Sequence, residues 1–282
     1  MSVKPQNPSD SKSVPEPIIG EHGIALKNFA IAQLQRAIAY LAQPGNARHQ
    51  GIHEGRKCIR RARATLALAA RTFKRRNCLV RAKRLDNDLG QLGRGLSPLR
   101  DAQALLEALA RIKNATAEVT VILPGALKAA RTRRDQLMRI ALRRNPDFLS
   151  RRQRLAAIMA RLVRLPWQDV DVAEIKSAVN RSVRRVEKAQ RNAHRHPEHD
   201  EIWHLYRRRL RRLRQQDSLL AGIDPGLRPA VVDLEQQAER LGESQDDALL
   251  LKHCGKRSPF APNQRKILRA IANARLRQMR SR

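Results

Sequence analysis

The chain has 282 residues, 41% of them hydrophobic and only 3% aromatic, enough apolar material for one large or two ordinary domains packed with small and branched side chains. Lys and Arg number 58 against 26 Asp and Glu, a net charge of +32, and residues 1–20 carry none of that excess. A field of this size far exceeds what solubility requires, disfavours cationic partners and points to a polyanion. The three cysteines, Cys58, Cys78 and Cys254, are an odd number with no C-x-x-C pair, which implies no disulfide framework and fits a reducing compartment. No run approaches the length of a membrane-spanning helix and the N-terminus has no apolar leader core, so the expected location is the cytoplasm.

Residues 1–20 hold four of the 14 prolines among Ser, Asn and Gln, and are expected to be a disordered tail. From Gly23 the apolar residues Ile24, Leu26, Phe29, Ile31, Leu34, Ile38 and Leu41 recur at helical spacing until Pro44-Gly45 ends the run. Further helices are expected over about 48–75, 78–90 and 98–115. Pro124-Gly125 should open a segment from Ala126 to Arg144, and after Asn145-Pro146 Asp147 should cap a helix that runs to Leu165. Leu165-Pro166-Trp167-Gln168-Asp169 reads as a boundary. Beyond it come helices at about 170–193, 200–221, Pro225 to Leu241 and 244–254, and a last one after Pro262. No stretch alternates with period two. The expected fold is all-α, arranged as two tandem four-helix bundles over 21–165 and 166–282.

Two stretches about 150 residues apart carry the same pattern, His-x2-Arg-[Lys/Arg]-x2-Arg-Arg-x-Arg. The first is His53, Arg56, Lys57, Arg60, Arg61 and Arg63; the second is His204, Arg207, Arg208, Arg211, Arg212 and Arg214. A second match follows each. Leu96-Ser97-Pro98-Leu99-Arg100-Asp101 aligns with Leu241-Gly242-Glu243-Ser244-Gln245-Asp246, and a leucine pair follows in both copies. The chain is therefore read as an internal duplication.

On a helical wheel His53, Arg56, Lys57 and Arg60 fall within an arc of ~100°, beside an apolar stripe of Ile52, Ile59, Ala62, Leu66 and Phe73. One face packs while its neighbour concentrates positive charge. Like charges four residues apart, such as Arg56 and Arg60, cost an isolated helix ~0.2–0.5 kcal/mol per pair, a cost that a bound anion relieves. Arginine's planar fork grips phosphate oxygens in pairs and stays charged. His53 and His204 can add hydrogen bonds that strengthen on protonation. Asp101 and Asp246 are expected to orient or neutralise arginines.

Two Trp, two Tyr and four Phe are too few to furnish stacking platforms for single-stranded nucleic acid, and no finger, zipper or helix-turn-helix pattern supports sequence-specific reading. Nonspecific nucleic-acid binding through phosphate contacts stays open as the alternative. No P-loop, dinucleotide fingerprint or H-E-x-x-H occurs, and carboxylates are too sparse for a two-metal site, so no enzyme and no cofactor is expected. The loop His194-Arg195-His196-Pro197-Glu198-His199 has enough imidazoles to ligate zinc or nickel, but its flexible, basic setting opposes cation binding. It is read as a solvated loop, with no metal assigned.

The paired basic motifs, each followed by a Leu-x4-Asp segment, resemble the CHAD family (conserved histidine α-helical domain) over about 23–282. The resemblance also takes in His22-Gly23 and the basic helix with Arg181, Arg184, Arg185 and Lys188. It implies two four-helix bundles related by pseudo-twofold symmetry, a basic central groove or pore, and binding of inorganic polyphosphate at polyphosphate granules. On that view the twelve motif residues line the groove, with Arg100, Arg181, Arg184, Arg185 and Lys188 as further contributors. The sequence departs from the family pattern at Ser97, where glycine is usual, and at Gln245, which replaces the arginine matching Arg100.

Overall fold

The structure, a computed structural model, describes residues 20–280 except 74, 113–115, 232 and 257, so the tail expected over 1–20 lies outside the described residues but for Gly20. All regular structure among them is helical. The first half holds α1 (Glu21–Leu41), α2 (Arg48–Ala69), α3 (Arg76–Gly95), α4 (Ser97–Ala110), α5 (Ala117–Arg144) and α6 (Leu149–Val163). The second holds α7 (Val172–Arg195), α8 (Asp200–Leu220), α9 (Leu234–His253) and α10 (Pro262–Arg280).

Three apolar cores hold these helices. In the first, Leu26 and Leu34 of α1 meet Ile52, Ile59 and Leu66 of α2, Leu89 of α3, and Leu155 and Leu162 of α6. Ile175 and Val179 of α7 join them. In the second, Leu105 and Leu109 of α4 and Ala126 of α5 pack on Leu250 of α9 and Leu268 of α10. In the third, Val186 of α7, Trp203 and Leu210 of α8 and Leu234 and Leu241 of α9 come together. The middle core thus draws two helices from each side of residue 166, and α2 lies directly against α8. Buried Gln216 ties that contact by donating from Nε2 to the Ala64 carbonyl at 3.3 Å.

Two glycines set the approach of α1 to its neighbours. A Cβ on Gly23 would stand 1.8 Å from the Trp167 carbonyl oxygen, and one on Gly51 would stand 2.2 Å from the Tyr40 carbonyl oxygen. Neither obstacle is a flexible side chain, so only glycine permits this backbone-to-backbone contact. The Trp167 segment is fixed in turn: its indole Nε1 donates to the Leu162 carbonyl at 2.9 Å and its ring meets Phe73 edge-on, with centroids 5.7 Å apart.

Three local expectations are corrected. Pro124 does not open a helix; α5 starts at Ala117 and runs through it. An interior proline costs ~3 kcal/mol through its missing N–H and ring clash. The stripe Val119, Ile122, Ala126 and Ala130 continues across it into the middle core, and that burial offsets the loss. Asp147 is not an N-cap. It sits at φ 46° in a single turn before α6, beside Phe148 at φ 52°, and ion-pairs with Arg48 at 2.8 Å. Phe148 adopts this left-handed conformation at a cost of ~1–2 kcal/mol and buries its ring completely. The Asn145 side chain does the capping instead, accepting from the Ser150 N–H at 3.1 Å. Finally, Pro225-Gly226 starts only a single turn, Pro225–Leu227, and one continuous helix replaces the two expected over 225–254.

Candidate functional site

The stripe that was expected to pack, Ile52, Ile59, Ala62, Leu66 and Phe73, is buried in the first core. This leaves the adjacent cationic face of α2 turned toward α4 and α8. Arg56 is braced there. Its Nη1 donates to the Gly93 carbonyl and to Ser97 Oγ, both at 2.6 Å. The serine that departs from the family pattern is thus an acceptor for a motif arginine. Burial lowers the pKa of Arg56, Asp101 opposes that, and Arg100 adds to it. On α8, Arg207 repeats the arrangement: burial lowers its pKa, Asp246 opposes and Arg100 adds. Asp101 and Asp246 thus each act on the first arginine of one basic row through their charge, and Asp246 also ion-pairs with Arg111.

Arg60 and Arg211 are different. Among the described residues no protein group accepts a hydrogen bond from either guanidinium and no carboxylate pairs with either, while Arg60 Nε is fully buried without a partner. Burial pulls Arg60 down to about 10, and the charges of Arg56, Arg207, Arg100 and Arg61 add to the effect. Burial pulls Arg211 to about 8, with further lowering by Arg60, Arg207, Arg56 and Arg208. These mutual effects cross from α2 to α8, so the structure gathers Arg56, Arg60, Arg100, Arg207, Arg208 and Arg211 into one cationic cluster. Asp101 lies at its edge; burial raises its pKa, while Arg56, Lys252, Arg100 and His204 oppose the rise.

The two motif histidines sit unequally. His53 is half-buried between Arg100 and Glu54, and burial first, then the Arg100 charge, lowers it to about 4, so it is neutral at pH 7. His204 is exposed, and its Nδ1 donates to Gln245 Oε1 at 2.9 Å. The second departure from the family pattern therefore also touches a motif residue.

The remaining sequence-predicted residues, and Arg100 of the cluster, have partners or positions of their own. Arg63 turns to α3 and grips Asp86 in a two-point pair at 2.8 and 2.9 Å. Arg214 pairs with Glu235 at 3.0 Å, Lys57 with Glu54 at 3.0 Å, and Arg100 with Glu107 at 2.8 Å. Arg212 feels Asp86, Arg63, Arg208 and Arg185, which places it on the side of α8 that faces α3 and α7. Arg181 donates to Ser177 Oγ at 2.6 Å and neighbours Arg71. Arg184, Arg185 and Lys188 are exposed on α7, and Arg61 is partly exposed on α2.

Residues beyond the sequence prediction also belong here. The charge of Lys252 on α9 opposes the rise at Asp101, and His253 beside it is lowered to about 4 by burial and by Arg133 and Lys252. Lys252 holds the position of Glu107 in the repeat alignment, a sign exchange visible in the sequence once that alignment is extended.

An all-α assembly in which two related basic helices meet, with half-buried arginines between them, is the class this fold and cluster define. The CHAD domain profile matches residues 29–254, and the protein belongs to that family. PptA from Streptomyces chartreusis has a similar fold, with a TM-score of 0.62 at 19% sequence identity over 92% of this chain and 96% of PptA. No curated protein sequence matches the chain. No helix among the described residues is long and apolar enough to cross a membrane.

Proposed function

We propose that this chain binds inorganic polyphosphate without catalysing its turnover, along a basic groove between α2 and α8. The observation that carries the reading is the pair Arg60 and Arg211. Two guanidinium groups, one from each basic row, are half-buried side by side with no acid among the described residues to neutralise them. Buried charge left unpaired is costly, and a chain of phosphates threading past supplies the missing anions at regular spacing. Membership of the CHAD family supports the same ligand and association with polyphosphate granules.

In this reading the repeats are related by a pseudo-twofold axis between α2 and α8. The packing supports it: α1 lies on α2 as α7 lies on α8, α4 on α5 as α9 on α10, and α2 on α4 as α8 on α9. His53, Arg56, Lys57, Arg60 and Arg61 serve one side, and His204, Arg207, Arg208, Arg211 and Arg212 the other. Arg63 and Arg214, each paired with an acid of a neighbouring helix, hold the frame.

The test is a titration of long-chain polyphosphate against orthophosphate over a range of salt. Long chains bind tightly, with a log–log salt slope of about −0.7 to −0.9 per neutralised phosphate, as for nucleic acids. Equal affinity for orthophosphate contradicts the proposal. Duplex DNA that outcompetes polyphosphate at matched phosphate concentration favours a nucleic-acid role instead, and metal-dependent phosphate release marks an enzyme. A tagged copy should gather on polyphosphate granules and disperse when polyphosphate synthesis is removed.

A further inference from the structure

The turn between α7 and α8 gathers a metal-ligand set that shares no residue with those assigned to polyphosphate. One ligand atom each from His196, Glu198 and His199 lies within 4.8 Å of the other two. His199 Nε2 is 3.1 Å from Glu198 Oε1, and His196 Nδ1 is 3.9 Å from the same oxygen. Atoms bound about 2.0–2.2 Å from a zinc ion stand roughly 3–3.5 Å apart, so a small rotation of His196 completes a three-point grip.

The turn is held rather than loose. The Pro197 carbonyl accepts from Trp203 Nε1 at 3.1 Å and from Arg280 Nη1 at 3.1 Å, and the His199 N–H donates to the His196 carbonyl at 3.2 Å. The basic setting that weighs against a cation in the bare sequence is also locally reduced. Arg280 is ion-paired with Asp200, and Glu198 and Glu201 stand in the same few residues. His194 is not part of the set, because its ring packs edge-on against Trp203 with centroids 5.6 Å apart.

We infer that His196, Glu198 and His199 form a binding site for one divalent transition-metal ion. Two imidazoles and a carboxylate suit zinc, nickel, cobalt or copper over magnesium or calcium, and the exposed turn leaves the remaining positions to water.

The experiment is isothermal titration of the untagged full chain with Zn2+ and Ni2+ in phosphate-free buffer, with Trp203 fluorescence followed in parallel. One equivalent should bind saturably, and Ni2+ should quench part of the emission. His196→Ala and His199→Ala should each weaken binding by about tenfold or more, and the double variant should abolish the event. Glu198→Gln should weaken it while leaving the unfolding temperature in place. Cys78→Ser, which removes the most accessible thiol, should bind as the parent does. Absence of a saturable event, or an event that survives in the double histidine variant, overturns the inference.

Discussion

Replacing Arg60 or Arg211 with methionine should make the unliganded protein more stable while weakening polyphosphate binding. Methionine keeps much of the stem packing and removes the charge. A tenfold change in proton affinity is worth about 1.4 kcal/mol, so the fall of Arg60 to about 10 sets a ceiling of roughly 3 kcal/mol on its electrostatic cost. Arg211, at about 8, has a higher ceiling. Both keep some contact with water, which reduces the recoverable part to about 1 kcal/mol for Arg60 and about 1–2 kcal/mol for Arg211. In a domain of this size 1 kcal/mol corresponds to about 2–4 °C in Tm. The assay is thermal unfolding in low-salt, phosphate-free buffer, repeated as ionic strength rises; the gain should shrink as salt screens the cluster. The sign with pH follows. Folding disfavours the protonated form of Arg211, so its penalty is full below about 8 and is relieved as pH rises through that value toward the unfolded one. The Arg211→Met variant should lose this alkaline gain. A lower Tm for either variant at every salt concentration would refute the reasoning, because it would mean that the guanidinium already has an adequate partner in the fold.

Burial holds His53 neutral in the fold, with a pKa of about 4 against 6.5. Its contribution to stability is therefore complete above 6.5 and is lost as pH falls toward 4; urea midpoints of His53→Gln across that window should show a flatter profile than the parent. Because a bound polyanion favours imidazolium, polyphosphate binding near pH 5 should take up protons, measurable by calorimetry in buffers of different ionisation enthalpy. Arg63→Ala breaks the two-point pair with Asp86 and should cost about 1 kcal/mol of stability in urea unfolding while changing polyphosphate affinity little. An affinity loss as large as that of Arg60→Met would instead place Arg63 in the groove. Gly23→Ala drives a methyl into the Trp167 carbonyl and should destabilise by at least about 1–3 kcal/mol, visible as a lower urea midpoint with any fluorescence change confined to Trp167.

Helix positions were largely legible because amphipathic spacing is a local property. The stripe from Ile52 to Phe73 packs as its periodicity required, and Asp171 caps α7 at the start expected for that helix, accepting from the Ala173 N–H at 2.9 Å. The misses came where a breaker was given its local meaning. Pro124 stands inside α5 because the apolar stripe on both sides of it reaches the middle core, and Gly242 inside α9 because Leu234 and Leu241 before it pack in the third core and Leu250 after it in the middle one; burial summed over several residues outweighs one lost hydrogen bond or one flexible residue. The departures at Ser97 and Gln245 were visible as letters, but their acceptor roles toward Arg56 and His204 needed the neighbouring helices in place.

From residue type and neighbours a few positions away the sequence already carried the charge, the helical character and the two matching basic rows. Within each row it could not rank the arginines. Arg60 and Arg63 are the same residue three positions apart on one helix, yet Asp86 of α3 neutralises one while α8 crowds the other with further cations. Tertiary structure decided which charges are desolvated together and which meet an acid. The energy of a guanidinium depends on what lies within a few ångströms of it, and those neighbours come from helices far away in the chain.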